Sequence, residues 1–257
     1  MASNTGRFVW YELMTSDPKA AIAFYSEVIG WKTQPFGEGS DYTMWMGSQG
    51  PLGGVMQLPE AAKQMGAPPH WMSNVIVDDV DATLAKVKEL GGRVYKEAED
   101  IPTVGRFGVI ADPQGASIAI FKPSGTMAPH DETKQGEFSW NELITTDKTL
   151  AMKFYGAIFG WQKLVEHDMG PMGTYMLFGV GDKPLGGMFN KTSDMPMPPS
   201  WVYYIQVDDL EASVGRVTSN GGKLVNGPMD VPGGTRIAQC TDPQGVVFAL
   251  HAEGKKK

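Results

Sequence analysis

Glu12 in "WYELMTSD" and Glu142 in "WNELITTD" stand in matching surroundings 130 residues apart. Each lies among aromatic and aliphatic residues, where loss of water raises a carboxyl pKa toward the range of a usable general base. The same setting suits a structural carboxylate that accepts hydrogen bonds from backbone, or from Arg106 or Arg236, which repeat at the same offset. That second role is the commoner one for a carboxylate so placed. Trp10, Trp140, Tyr42, Tyr175, Tyr203 and Tyr204 offer flat apolar surface nearby, either as core packing or as the wall of a site for a planar or amphipathic molecule. Several of the sixteen methionines fall in "DMGPMG" and "SDMPMPPSW", where their flexible side chains give adaptable surface.

The remaining reactive residue types are sparse. Cys240, the single cysteine, has no histidine near it in sequence and reads as a buried structural thiol. The four histidines, 70, 130, 167 and 251, have no counterparts across the repeat; His167 is expected in a Gly- and Met-rich loop, and His251 on a last strand at the level of Phe121. There is no P-loop, no strand-borne G-x-G-x-x-G, no H-E-x-x-H and no nucleophile elbow. A formal charge of −7 without a basic stripe excludes a nucleic-acid binder. No apolar run approaches the ~20 residues of a membrane span, and "MASNTGRFVW" does not read as a secretory leader, so a cytoplasmic protein is expected.

The elements that position these residues come in copies. "VDDV" at 77–80 returns as "VDDL" at 207–210, and "DPQG" at 112–115 as "DPQG" at 242–245, again 130 apart, whereas "PLGG" at 51 and 184 is offset by 133. Each half divides further. An extended run, "RFVWYELM", leads to Asp17-Pro18, a helix start in which Asp accepts first-turn N–H groups and Pro wastes none. Ala21, Phe24, Tyr25 and Val28 then follow at helical spacing up to Gly30. "WMSNVIV", Asp79, Leu84, Val87 and Gly91-Gly92 repeat the pattern, and β-like runs such as "YTMWMG", "LGGVMQL", "GRFGVIAD" and "ASIAIFK" come after the helices. The fold predicted is α+β: four βαβββ modules in two tandem homologous domains, each a cupped mixed sheet with helices outside. Domain one covers 1–123 with modules 7–58 and 68–123; a linker covers 124–136; domain two covers 137–253 with modules 137–190 and 198–253; a basic tail covers 254–257. Whether quarter one pairs with two or with four stays open at this level.

The run Asp17, Ala21, Phe24, Tyr25, Gly30, Trp31, repeated from Asp147, resembles the helix signature of the vicinal oxygen chelate superfamily, which contains glyoxalase I, extradiol dioxygenases and bleomycin-resistance proteins. "VDD" and "DPQG" look like its even-numbered modules, and "W-x-E-L", "PLGG" and "PP-x-W" are similar to its bacterial tandem glyoxalase-like members. The resemblance implies metal ligands on each first strand and each last strand. Here those positions read Trp10, Met72, Trp140 and Val202, then Ala119 and Ala249, none of them a ligand of the imidazole or carboxylate type. His70, two residues before Met72, is the one candidate for a displaced ligand.

The expected protein is therefore a metal-free and cofactor-free binder of a small planar or amphipathic molecule, a monomer or homodimer. Trp10, Trp140, Met72, Tyr204, Arg106, Arg236 and His251 are its candidate ligand-binding residues. The alternative is a glyoxalase-like lyase or isomerase, or an oxygenase-related enzyme, using Glu12 or Glu142 as base or a displaced metal. Protein purified without added metal is expected to carry less than about one transition-metal ion per chain. Elemental analysis checks this, and stoichiometric Zn, Ni or Fe lost on His70→Ala would contradict it.

Overall fold

A computed structural model describes residues 4–37 and 39–254; residues 255–257 of the basic tail lie outside the described residues. The first module runs β1 (Phe8–Thr15), α1 (Pro18–Ile29), β2 (Lys32–Pro35), β3 (Thr43–Gly47) and β4 (Gly50–Gln57). After a short helix α2 (Glu60–Gln64), the second runs β5 (His70–Ile76), α3 (Val80–Glu89), β6 (Arg93–Ile101), β7 (Gly105–Ala111) and β8 (Ser117–Pro123). The third comprises β9 (Phe138–Thr145), α4 (Lys148–Phe159), β10 (Gln162–Asp168), β11 (Thr174–Val180) and β12 (Lys183–Asn190). The fourth comprises β13 (Ser200–Gln206), α5 (Leu210–Ser219), β14 (Lys223–Val231), β15 (Thr235–Thr241) and β16 (Val247–Glu253). The predicted α+β arrangement of four βαβββ modules is the one observed.

Helix boundaries follow the capping chemistry. Asp17 Oδ1 accepts from Ala20 N at 3.0 Å, and Gly30 closes α1 in the left-handed region at φ 89°. Asp79, Asp147 and Asp209 cap α3, α4 and α5 in the same way. The strands form two eight-stranded mixed sheets, ordered β2-β3-β4-β1-β5-β8-β7-β6 and β10-β11-β12-β9-β13-β16-β15-β14. Within each, the first strand of an odd module runs parallel to that module's last strand, β1 with β4 and β9 with β12.

By compactness the chain divides into two units. One holds the described part of Met1–Val9 with Met72–Pro129 and Trp140–Trp201; the other holds Trp10–Trp71, His130–Ser139 and the described part of Val202–Lys257. The first quarter thus packs in one unit with the fourth, and the second with the third.

In the unit built on quarters one and four, Tyr25 of α1 is fully buried among Trp31, Trp45, Trp71 and Phe248. A buried phenol needs a partner. Its hydroxyl takes one hydrogen bond from Trp71 Nε1 at 3.0 Å and lies 3.4 Å from Asp242 Oδ2, to which it donates. Burial lifts both the Tyr25 phenol and the Asp242 carboxyl above their ordinary pKa values, with the neighbouring carboxylate adding to the first and backbone N–H donors opposing the second. Asp242 belongs to "DPQG", and Gln244 of the same motif reaches the start of α1. Gln244 Oε1 accepts from Thr15 Oγ1, Ser16 Oγ and Asp17 N at 2.7, 2.6 and 2.8 Å, while its Nε2 donates to Asp17 O at 2.9 Å. Tyr11 stacks on Phe138 at 3.7 Å.

The unit built on quarters two and three repeats the joint. Tyr155 of α4 donates to Asp112 Oδ2 at 3.2 Å and accepts from Trp201 Nε1 at 3.4 Å. Gln114 grips the start of α4 through Thr146 Oγ1, Asp147 N and Asp147 O. Trp161, at the end of the same helix signature, donates to Gly6 O at 2.7 Å, as Trp31 does to Gly136 O at 2.8 Å in the other unit. The "FY…GW" signature of an odd module is thus mated to the "DPQG" of an even one. Gln244→Ala removes an acceptor from three donors, and we expect it to cost about 1–3 kcal/mol of stability. Urea unfolding at neutral pH measures this, and an unchanged midpoint would show that solvent replaces the grip without loss.

Candidate functional site

Strand periodicity places Trp10 and Glu12 on one side of β1 and Tyr11 and Leu13 on the other. Parallel pairing sets Glu12 beside Gly54 and Tyr11 beside Gly53 of β4. The two glycines of "PLGG" have different duties. A Cβ on Gly53 would lie 2.0 Å from Tyr11 O, so this glycine permits the backbones to approach. A Cβ on Gly54 would lie 2.1 Å from Tyr42 Oη, so the second glycine leaves a bed for the Tyr42 ring.

Held there, Tyr42 bridges the two β1 side chains. Trp10 Nε1 donates to Tyr42 Oη at 2.7 Å, and Tyr42 Oη donates to Glu12 Oε1 at 2.9 Å. The third module reproduces the array. Trp140 Nε1 donates to Tyr175 Oη at 2.8 Å, Tyr175 Oη donates to Glu142 Oε2 at 2.9 Å, and a Cβ on Gly187 would lie 2.1 Å from the Tyr175 ring. The direction of each array is fixed: an indole has only a donor, a carboxylate only acceptors, and the phenol joins them by doing both.

Burial, and then the charge of the adjacent glutamate, push the Tyr42 and Tyr175 phenols far above the ordinary tyrosine value. They act as proton-holding links at any working pH. A hydrogen bond from a buried phenol to a carboxylate contributes about 1.5–3 kcal/mol, and deleting the phenol strands both neighbours. Glu142 is buried and Glu12 half-buried, with both tryptophans half-buried. Each array presents part of an indole beside a carboxylate whose position is fixed by the tyrosine.

The arginines expected as partners are engaged elsewhere. Arg106 pairs with Asp81 at 2.8 Å and Asp100 at 2.9 Å, and Arg236 pairs with Asp230 at 3.2 Å and with Glu211. The glutamates are tied to tyrosine, and each arginine is met by a carboxylate on the neighbouring strand: Asp100 of β6 faces Arg106 of β7 and Asp230 of β14 faces Arg236 of β15 in register. Tyr203 is buried against Tyr11 and Phe138, so of the expected aromatic wall it is core. Met72 is buried on β5. Tyr204 is buried and accepts from Gln239 Nε2 at 2.9 Å.

The histidines are dispersed. His70 Nδ1 donates to Pro68 O at 2.7 Å, and burial lowers its pKa. His130 sits 2.7 Å from the buried Glu137. His251 Nδ1 lies 2.9 Å from Ser139 Oγ. His167, expected in a loop, is on β10 in register with Tyr175, because the three-residue gain in this module lengthens the β10–β11 hairpin. Burial drives the Cys240 thiol up to about 12, which keeps it protonated and unreactive.

Tyr42, Tyr175, Gly54 and Gly187 are the site residues that sequence reasoning did not connect. The signal was present: both pairs are offset by 133, like "PLGG", and not by 130 like Trp10 and Glu12. Residues that shift together across an insertion lie on the same side of it.

Two tandem pairs of βαβββ modules, with first strand parallel to last in the odd modules, define a glyoxalase-type architecture. Solved structures share it. LapB, a 2,3-dioxygenase from Pseudomonas sp. KL28, aligns over 98% of this chain and 94% of its own with TM-score 0.66 at 13% identity. A Mn(II)-bound glyoxalase from Novosphingobium aromaticivorans aligns over 97% and 82% with TM-score 0.63 at 18% identity. The profile of the Glyoxalase/Bleomycin resistance protein/Dioxygenase superfamily matches residues 7–120 and 138–250, and the chain belongs to that superfamily. Among sequence relatives, the Mycobacterium tuberculosis protein CFP32, whose name carries a provisional glyoxylase assignment, is 33% identical over 94% of this chain and 92% of its own. The anthracycline biosynthesis protein DnrV of Streptomyces peucetius is 30% identical over 95% and 92%.

Metal-using members of the fold set the question of whether these residues fit a metal. They do not: the implied ligand positions hold indole, thioether and alkyl groups, and among the described residues no three His, Cys, Asp or Glu side chains gather as a metal would require. Among the described residues no helix is long and apolar enough to cross a membrane.

The raised phenol pKa values carry a sign. Unfolded tyrosine loses its proton near pH 10, whereas native Tyr42 and Tyr175 keep theirs, so the unfolded state binds fewer protons above that pH and stability falls as pH rises. We expect ultraviolet titration to show these tyrosines ionising only as the protein unfolds. Normal ionisation of all tyrosines in the native protein would dissolve the arrays.

Proposed function

We propose that this protein binds small planar or amphipathic molecules without a resident metal, and that each Trp–Tyr–Glu array is the recognition element. One observation carries the reading: at two positions where the family resemblance implies metal ligands, this chain has a tryptophan locked by tyrosine to a glutamate. Because the indole N–H is spent on the phenol, the tryptophan offers a ligand its ring face, and the carboxylate beside it favours a ligand bearing a hydrogen-bond donor or positive charge. Such a surface selects conjugated rings over small, strongly hydrated substrates. The relationship to DnrV agrees with this, anthracyclines being fused-ring aromatics. The working form is a cytoplasmic monomer or homodimer that needs neither nucleic acid nor membrane.

The relationship to CFP32 favours a second reading, in which Glu12 or Glu142 is the base of a glyoxalase-like lyase or isomerase. The buried Glu142 and half-buried Glu12 suit that role, with tyrosine orienting the base.

The two readings separate experimentally. A planar ligand should quench tryptophan fluorescence, and Trp10→Ala or Trp140→Ala should weaken its binding at least about tenfold, equal to about 1.4 kcal/mol. Affinity for glutathione thiol adducts should be low in every variant. Tight binding of thiol adducts untouched by either substitution, with turnover abolished by Glu12→Gln or Glu142→Gln, would replace the first reading with the second.

A further inference from the structure

His251 breaks the internal repeat. The first half has Phe121 at its position, and where the first half has Val9, the second has Ser139. Both lie in the unit built on quarters one and four. On one side His251 pairs with Gln206, and Ala249 with Tyr204; on the other His251 pairs with Ile237, and Ala249 with Gln239. Side chains in register share a face, so Tyr204, Gln206, Ile237, Gln239, Ala249 and His251 lie on one face, four of them polar.

The hydrogen bonds of Ser139 decide the tautomer of His251. Ser139 Oγ lies 3.3 Å from the Tyr204 carbonyl oxygen and 2.9 Å from His251 Nδ1. A serine hydroxyl has one proton, and a carbonyl can only accept. Both bonds form together only if Ser139 donates to Tyr204 O and His251 Nδ1–H donates to Ser139. The lone pair of the imidazole is then on Nε2, which has no partner among the described residues. His251 is half-buried rather than sealed in the core. Desolvation lowers the pKa of His251 against a weaker opposing effect of Glu253, which keeps the ring neutral near pH 7.

We propose that His251 Nε2 is a ligand-binding acceptor for a weakly acidic hydroxyl, a phenol or enol, with Ser139 as the positioning residue that fixes the tautomer and Ile237 as the apolar flank. The ligand O–H donates to Nε2, and no bond other than this hydrogen bond is made. The site shares no residue with the Trp–Tyr–Glu arrays and does not rest on their reading.

The test uses the full chain and 4-nitrophenol as probe, followed by ¹⁵N NMR of the histidine side chains and by the probe's own absorption. The free protein should show His251 with unprotonated Nε2 and protonated Nδ1. Addition of 4-nitrophenol should move the Nε2 resonance and shift the probe's absorption band. His251→Phe, which installs the residue of the first repeat, should abolish both changes, and His251→Gln serves in its place if that variant does not fold. Ser139→Ala should mix the tautomers and weaken the probe about tenfold. A protonated Nε2 in the free protein, unchanged probe binding in the His251 variants, or no binding at about 1 mM probe would each overturn the proposal. Loss of the probe in Trp10→Ala or Trp140→Ala while His251→Phe retains it would also overturn it and would leave the arrays as the binding site.

Discussion

A βαβββ module has one helix and four strands, too little apolar surface on its own to close a core. The joint that answers this constraint is the buried phenol of an odd-module helix set against the "DPQG" aspartate of an even module, Tyr25 with Asp242 and Tyr155 with Asp112. It places two polar groups inside an aromatic cluster, where an unpaired partner would cost about 1–3 kcal/mol. Each is acceptable only because the other is there. The glutamine two residues on then grips the start of the same helix, so one four-residue turn fixes both the depth and the entry of its partner. A joint of this kind specifies which modules pack together more narrowly than apolar surface does, since hydrophobic contact is not directional.

The candidate site uses the same economy of groups at a different place. β1 and β4 run so close that only glycine fits between them, and one further glycine makes room for a tyrosine ring. That ring converts a neighbouring tryptophan and glutamate into a single rigid object. A carboxylate oriented by a phenol and a ring oriented through its own N–H are both held in place before anything else touches them. At Trp10 and Trp140, where the family resemblance implies metal ligands, the chain carries indoles tied through tyrosine to glutamate.

The sequence made the fold readable because the fold is built from local signals used repeatedly. Asp17, Asp79, Asp147 and Asp209 as caps and Gly30 and Gly160 as stops mark the same event at matching offsets. β2, "KTQP", was not legible as a strand; its residues are all exposed, three polar and the last a proline, and its order comes from pairing with β3. Glu12 and Glu142 were recognisable as candidates because they are charges amid apolar neighbours. Their true partners were hidden because Tyr42 lies 30 residues from Glu12, and no periodicity links residues on different strands. Arg106 and Arg236 matched across the repeat for a reason of their own, each pinned by acidic residues at the strand edge and the nearby helix start.

The helix clasps also bear on ancestry. Every phenol–carboxylate joint takes one member from the first half of the chain and one from the second, and the halves are duplicates. Two separate copies of a single half could form the same joints with each other, Tyr of one with Asp of the other, and reciprocally. A swapped pair of half-length chains could therefore supply both joints. Fusion would have changed the dependence of folding on concentration while keeping these joints, and it would have freed each copy to diverge, as His251 has done where the first half keeps Phe121.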